Sequence, residues 1–451
     1  MDVVLLSRIQ FAFNIAFHYL FPPLSIGLAL MIVIMEGMYI WTKKEIYKTI
    51  TKFWVNIFAL SFAMGVATGI VQVFAFGNNW ARFSIFVGDV FGSALAAEGI
   101  FAFFLEAGFL GLMLFGWDKV KPKIHYLSTV LVAFGAHFSA IWICVVNSWM
   151  QTPAGYKIIG QGNEARAVVT NFWEMVFNHT SVVRITHVLI GCWLTGAFIV
   201  LSVSAYYMLR KKHEEFSKIS MKIGLFVAST MVVLQLISAD SSAEKVAKHQ
   251  PEKLAAMEGV FKTEPNTPIV VIGYPDMKNK ETKGFKIPSL LSILTFHNPQ
   301  TPVPGLDQYD EKDWPNVPLV FFTYHIMIYC WGAMALAALM GSYFMLRKKI
   351  EKAKMTLMLL VVSVIFPYIS NEAGWFTAEC GRQPWIVYHV LRTSKGVSKS
   401  VSSGEVLGSL IMFGVVYSLL FAVFIFLMNR KIQHGPVDLD FPATDEYRPK
   451  I

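Results

Sequence analysis

Apolar runs separated by short polar connections dominate the chain. Nine of them, at about 10–41, 53–76, 91–117, 124–149, 183–210, 217–238, 319–346, 354–371 and 405–428, are long enough to span a bilayer as helices, which takes about 20 residues. The pattern predicts an all-α polytopic membrane protein of about nine transmembrane helices. The connections after spans one, three, five and seven are short and basic, with Lys43, Lys44, Lys48 and Lys52, then Lys119, Lys121 and Lys123, then Arg210, Lys211 and Lys212, then Arg347, Lys348 and Lys349. Basic connections stay on the cytoplasmic side, so the N-terminus is expected outside and the C-terminus in the cytoplasm. Four segments follow: six helices in 1–238, an outer loop at 239–318, three helices in 319–428, and a cytoplasmic tail at 429–451. Within the loop, 241–261 has helix-forming composition, and the Pro-, Gly- and Asn-rich remainder reads as irregular.

Composition agrees with this pattern. Apolar residues make up 55% of the 451 and charged residues 15%, with a mean hydropathy of +0.50; a soluble domain carries roughly a quarter charged residues. The net charge of +9 resides in the short connections between spans, which excludes a nucleic-acid partner as its explanation. The cysteines, Cys144, Cys192, Cys330 and Cys380, form no C-x-x-C pattern, so neither a zinc knuckle nor covalent haem attachment is signalled. No cleavable signal is visible at the start of the chain.

Polar groups inside the spans change the picture, because ionisable residues in lipid are costly and mark functional sites. Asn14 and His18 lie four apart on one face of span one, just before Pro22 and Pro23. Glu98 and Glu106, with Ala102 between them, form an i, i+4, i+8 row on span three, about 12 Å apart along a straight helix; they suggest a proton relay or an ion site. Span five opens with Arg184 and His187, and span seven carries His325 and Met327 near its start. A His and a Met together can hold a low-spin haem iron. By the expected topology His187 and Met327 share a depth, and His18, Glu98 and Glu379 also lie in the outer half. Glu106 lies nearer the middle. His137 in span four reads better as an interhelical hydrogen-bonding group than as a ligand.

The stretch from Asn371 to Trp385, NEAGWFTAECGRQPW, places Glu372, Glu379 and Arg382 among indoles at a membrane edge. Gly381-Arg382-Gln383-Pro384-Trp385, with Gly374-Trp375 and Glu379 before it, resembles the signature of subunit I of the cytochrome bd-type quinol oxidases. The outer-loop stretch QPEKLAAMEG, from Gln250 to Gly259, is similar to that family's quinol-loop motif, in its shorter loop form. The resemblance covers nearly the whole chain. It implies that His187 and Met327 are axial ligands of a low-spin haem b. It also implies that His18 and Glu379 ligate two high-spin haems, one b and one d, without saying which takes which. Glu98 is then an acid lining the oxygen-reducing site, Glu106 and Ser139 are proton-path positions, and Trp375 is an indole near the haems. Arg382 is a partner for haem propionates, and Lys253 and Glu258 serve quinol oxidation. His325 stands where the family often has Arg.

The implied reaction is oxidation of quinol at the outer face and reduction of O₂ to water with protons from the cytoplasm, generating a proton-motive force without an evident pump. The resemblance further implies a bacterial plasma-membrane location, a second large membrane subunit and a small single-span one. A haem-copper oxidase is disfavoured because the eleven His are scattered, with no H-x-H or H-H pair. A secondary transporter suits intramembrane acids and Pro-broken helices, but no repeat relates the two halves. A non-catalytic assembly subunit would not carry the ligands itself.

Overall fold

The computed structural model describes residues 2–99 and 104–436. Asp2 caps α1 (Val3–Tyr19) by accepting from the Val4 amide. The helix stops where Pro22 and Pro23 follow. Neither proline can donate to the helical ladder, and both fit the first turn of α2 (Pro22–Thr42). Then come α3 (Glu45–Asn78), α4 (Ala81–Ala97), α5 (Phe104–Phe115) and α6 (Pro122–Gln151). A short α7 (Phe172–Val176) precedes α8 (Ser181–Arg210) and α9 (Glu214–His249). The long loop after α9 holds α10 (Pro251–Glu258) and α11 (Leu290–Phe296). The chain ends with α12 (Val317–Leu346), α13 (Lys354–Val362), α14 (Ile365–Cys380) and α15 (Ser403–His434).

Among the described residues, eight helical segments are long and apolar enough to cross a membrane, with α1–α2 and α13–α14 each counted as one broken span. The third expected span, 91–117, falls on α4 and α5, which flank residues 100–103. Ala102 therefore lies outside the described residues, and so does most of the tail, at 437–451. Two expectations for the 239–318 loop change. Helix α9 runs unbroken through position 238 to His249, because the Ala-, Glu- and Lys-rich segment after the apolar run continues the helix into the loop. The second half of the loop is not simply irregular. It carries an antiparallel hairpin, β1 (Ile269–Asp276) with β2 (Glu281–Ile287), built from β-branched and aromatic residues around a turn in which Asp276 accepts from the Lys278 and Asn279 amides.

Helices α2, α3, α8, α9, α12 and α13 enclose the main core, with Leu28, Trp54, Phe58, Phe198, Leu201 and Leu360 buried in it. The tightest seam joins α2 and α8. A Cβ on Gly27 would stand 2.1 Å from Cys192 O, and one on Gly196 2.2 Å from the Gly27 carbonyl carbon, so only glycine allows these backbones to touch. Helix α15 lies at the periphery, held to α1 by Tyr417 stacked on Phe17 at 4.2 Å, with most of its apolar side chains exposed. Such a surface suits lipid or another membrane subunit.

Candidate functional site

Helix α14 is the element around which the predicted site residues gather. Glu379, at its C-terminal end, accepts from Asn147 Nδ2 at 2.8 Å and from Arg382 Nη2 at 2.5 Å. Asn147 in turn accepts from Arg184, so two guanidinium groups flank one carboxylate, one directly and one through an amide. Gln151, one turn after Asn147 on α6, reaches Glu379 Oε1 at 3.4 Å and donates to Ala378 O at 3.2 Å. Its own Oε1 accepts from Lys253 Nζ at 2.5 Å and from Gln250 Nε2 at 2.9 Å. Lys253 Nζ also donates to Gln250 Oε1 at 2.8 Å. The loop motif is thereby wired to the α14 carboxylate through Gln151.

Lys253 is 2% exposed. Burial, with the charges of Arg184 and Arg382 nearby, holds its amine well below the usual lysine value. A neutral amine has two N–H donors; the two glutamine oxygens use both and leave a lone pair to receive a proton. Glu258 is equally buried but faces elsewhere. It meets the Tyr324 hydroxyl of α12, and its Oε2 has no partner among the described residues. Burial raises its carboxyl above the ordinary range. The two loop residues thus point to different neighbours, as a five-residue spacing requires. Glu252, unremarked in the sequence, accepts from Tyr388 and from His389 Nε2, tying α10 to the segment after the GRQPW motif.

Deeper in the bundle, α14 touches both helices expected to carry a His–Met pair. Asn371 donates to Thr195 of α8 at 3.0 Å, and its Oδ1 would be 2.6 Å from a Cβ on Gly191, one turn from His187. Ser370 donates to Met327 O at 3.3 Å, and Met327 Sδ would be 2.8 Å from a Cβ on Gly374. The His187 ring meets Gln235 Nε2 at 3.0 Å and Ser238 at 3.3 Å. His18 Nδ1 lies 2.8 Å from Thr68 Oγ1, whose hydroxyl donates to Met64 O at 2.8 Å. Thr68 therefore accepts from His18 Nδ1–H, and Nε2 is left as the lone-pair atom, the arrangement found in ligating histidines. Ser139 donates to Glu98 at 2.6 Å, while Glu106 is buried in the first turn of α5. Trp375 packs edge-on to Phe376 on α14.

The chain matches the family model described as cytochrome bd terminal oxidase subunit I over residues 6–436. It belongs to that family. This subunit I is 39% identical to the cytochrome bd ubiquinol oxidase subunit 1 of Bacillus subtilis (strain 168), over 96% of this chain and 94% of that one. It is 36% identical to the cytochrome bd-II ubiquinol oxidase subunit 1 of Escherichia coli (strain K12), over 96% and 97%. Its fold superposes on the bd oxidase from Geobacillus thermodenitrificans with a TM-score of 0.89 at 28% identity, covering 96% of this chain and 99% of that one. With its apolar helices, subunit I is a multi-pass protein of the bacterial plasma membrane.

Two further histidines of this subunit I, His325 and His137, are fixed by hydrogen bonds. Both ring nitrogens of His325 face carbonyl oxygens, Phe321 O at 2.8 Å and Val270 O at 2.9 Å. It pins the outer hairpin to α12 rather than standing free beside Met327. His137 bonds Ala133 O and accepts from Trp193 Nε1 at 2.8 Å, the interhelical role expected for it. Asn147 and Gln151 were missed by sequence reasoning. Their i, i+4 spacing at the end of an apolar span was the available signal.

Proposed function

We propose that this chain is the haem-bearing, quinol-oxidising subunit of a bacterial terminal oxidase. Relatives of this length are named ubiquinol oxidase subunits, and the residues of this chain suit haem. His18 offers an Nε2 lone pair. Met327 Sδ sits against a position that only Gly374 leaves open, and Arg382 Nη1 is buried without a partner among the described residues, as a propionate-binding guanidinium would be. His187 and Met327 would hold a low-spin haem b, and His18 and Glu379 a high-spin haem b and a haem d. When bound, these groups supply electron transfer and oxygen reduction.

The protein's own part is to bind, orient and move protons. Lys253 would accept a proton from quinol in the outer region, with Gln151 and Gln250 holding its amine. Each quinol leaves as quinone after giving up two electrons and two protons; two quinols reduce one O₂, which takes four protons and leaves as two waters. Glu106, Glu98 and Ser139 would deliver those protons from the cytoplasmic side. The proton-motive force then arises because protons are released on one face and consumed from the other. The second large subunit implied by the name subunit 1, and a small single-span subunit, would cover the exposed apolar helices.

The observation that carries this reading is the buried chain Lys253–Gln151–Glu379, which joins the loop to a proposed ligand. An absorbance spectrum of the purified complex, with quinol-driven oxygen consumption, tests it. Haem bands of b and d type that respond to quinol are expected; a colourless complex would sink the proposal.

A further inference from the structure

A second buried polar cluster lies at the opposite end of the bundle, beside the basic connections. Glu36 of α2 and His125 of α6 are each 1% exposed. His125 Nδ1 lies 2.6 Å from Glu36 Oε1, Thr129 donates to Glu36 Oε2 at 2.6 Å, and His125 Nε2 lies 3.1 Å from Met113 O of α5. The Met113 carbonyl accepts from His125 Nε2–H, and one further proton lies between His125 Nδ1 and Glu36 Oε1. Moving one proton from Nδ1 to Oε1 would neutralise both partners without changing the net charge of the pair.

A buried ion pair is a poor stabiliser, since well-packed apolar residues do as well or better. Its presence inside two membrane spans therefore calls for a use. The surroundings supply one. The Trp117 ring packs on His125 with centroids 3.8 Å apart, and Trp117 lines a cavity of about 320 Å³ with Lys52, Asn56, Asp118 and Lys119. Aqueous protons can thus come within one indole of the pair. The charged groups around it are Lys52, over the Trp117 ring, and Asp118, paired with Lys48 at 3.6 Å; the Tyr126 hydroxyl lies against Gly37 beside Glu36.

The same two helices lead inward. Met113, whose carbonyl binds His125, and Glu106 are seven residues apart on one face of α5, about 10 Å along the axis. His125 and Ser139 share a face of α6, and Ser139 holds Glu98. The acid–imidazole pair and the Ser139–Glu98 pair, which joins α6 to the end of α4, are therefore linked along α6, with Glu106 of the neighbouring α5 on the way.

We propose that Glu36, His125 and Thr129 form the proton-collecting mouth of the route to Glu106, taking protons from the cavity at Trp117 and passing them along the α5–α6 seam through intervening water. This rests on the functional reading above.

The test uses the purified oxidase complex in lipid vesicles, fully reduced and mixed with O₂, with voltage recorded over time. Glu36→Gln keeps the volume and removes the proton-accepting group. Full haem content is expected, with proton-linked charge movement slowed by about tenfold or more, a displaced pH profile of turnover, and partial recovery in Glu36→Asp. Full haem content with wild-type charge movement and pH profile would overturn the proposal. Should Glu36→Gln lose its haems, Thr129→Val decides instead. Severalfold slower charge movement supports the mouth, and unchanged movement rejects it. Glu106→Gln separates the two readings: if it slows turnover while Glu36→Gln does not, only the mouth is wrong, and if neither slows turnover, the route itself is wrong.

Discussion

Lys253 of the outer loop and Gln151 at the end of α6 are joined by a 2.5 Å hydrogen bond, although 102 positions separate them in the chain. The same glutamine reaches Glu379, so a loop residue and a membrane carboxylate share one amide. Gln151→Leu should leave the haem spectrum largely intact and depress quinol oxidation more than oxygen reduction driven by an artificial donor. Losing the amide strands a buried amine and costs about 1–3 kcal/mol. Lys253→Ala and Glu258→Ala should show the same asymmetry. Equal losses in the two assays would make these residues supports of folding rather than of quinol chemistry.

A pH dependence follows from the same amine. Lys253 is held below its usual value, so its neutral fraction grows as pH rises through that lowered value. Quinol oxidation that uses the neutral amine should therefore rise with pH on the acid side, and Lys253→Ala should flatten this limb. The linkage to stability has the same sign. The unfolded chain binds this proton more readily than the folded one, so stability at Lys253 also rises with pH up to the ordinary lysine value. A turnover profile identical in wild type and variant would remove Lys253 from the proton step.

His187→Ala or Met327→Leu should abolish the low-spin haem signal and leave part of the high-spin signal. Met327 itself accepts from Ser370 of α14, and His187 lies one turn from Gly191, against which Asn371 of α14 packs. Redox difference spectra check this; an unchanged low-spin band in both variants would reject the pair as ligands.

Glu106→Gln should keep the haems and slow both turnover and proton-linked charge movement, because the amide fills the same space but carries no transferable acid proton. Glu98→Gln should also disturb the high-spin spectrum, since Glu98 with Ser139 is expected nearer the oxygen site. Time-resolved voltage after O₂ addition reads the first effect and absorbance the second. Normal charge movement in Glu106→Gln would exclude it as an essential relay.

The α2–α8 seam offers a stability prediction. Gly27→Ala puts a methyl group 2.1 Å from a backbone oxygen, and backbone cannot swing aside as a side chain can. Overpacking of this kind costs about 1–3 kcal/mol or more. The variant should release haem at lower temperature than wild type, read as loss of absorbance on heating. An unchanged transition would mean that the helices separate freely.

Much of this protein was legible from its sequence. Spans are set by bilayer thickness and backbone hydrogen bonding, which act on each segment alone, so runs such as 124–149 and 183–210 needed no neighbours to be recognised. The GRQPW motif and the loop motif carried the family. Tertiary structure decided what depends on partners. Lys253 and Glu258 both lie in one short helix, yet only the fold turns Lys253 toward Gln151 and Glu258 toward Tyr324. His325, beside Met327 in sequence, is claimed by the hairpin through Val270 O. Glu36 and His125 lie 89 positions apart in spans that read as ordinary apolar helices, and no local pattern announces their pairing. Hydropathy and helical period are properties of one segment, whereas a buried polar group's role is set by whichever distant donor or acceptor packing brings within hydrogen-bond reach.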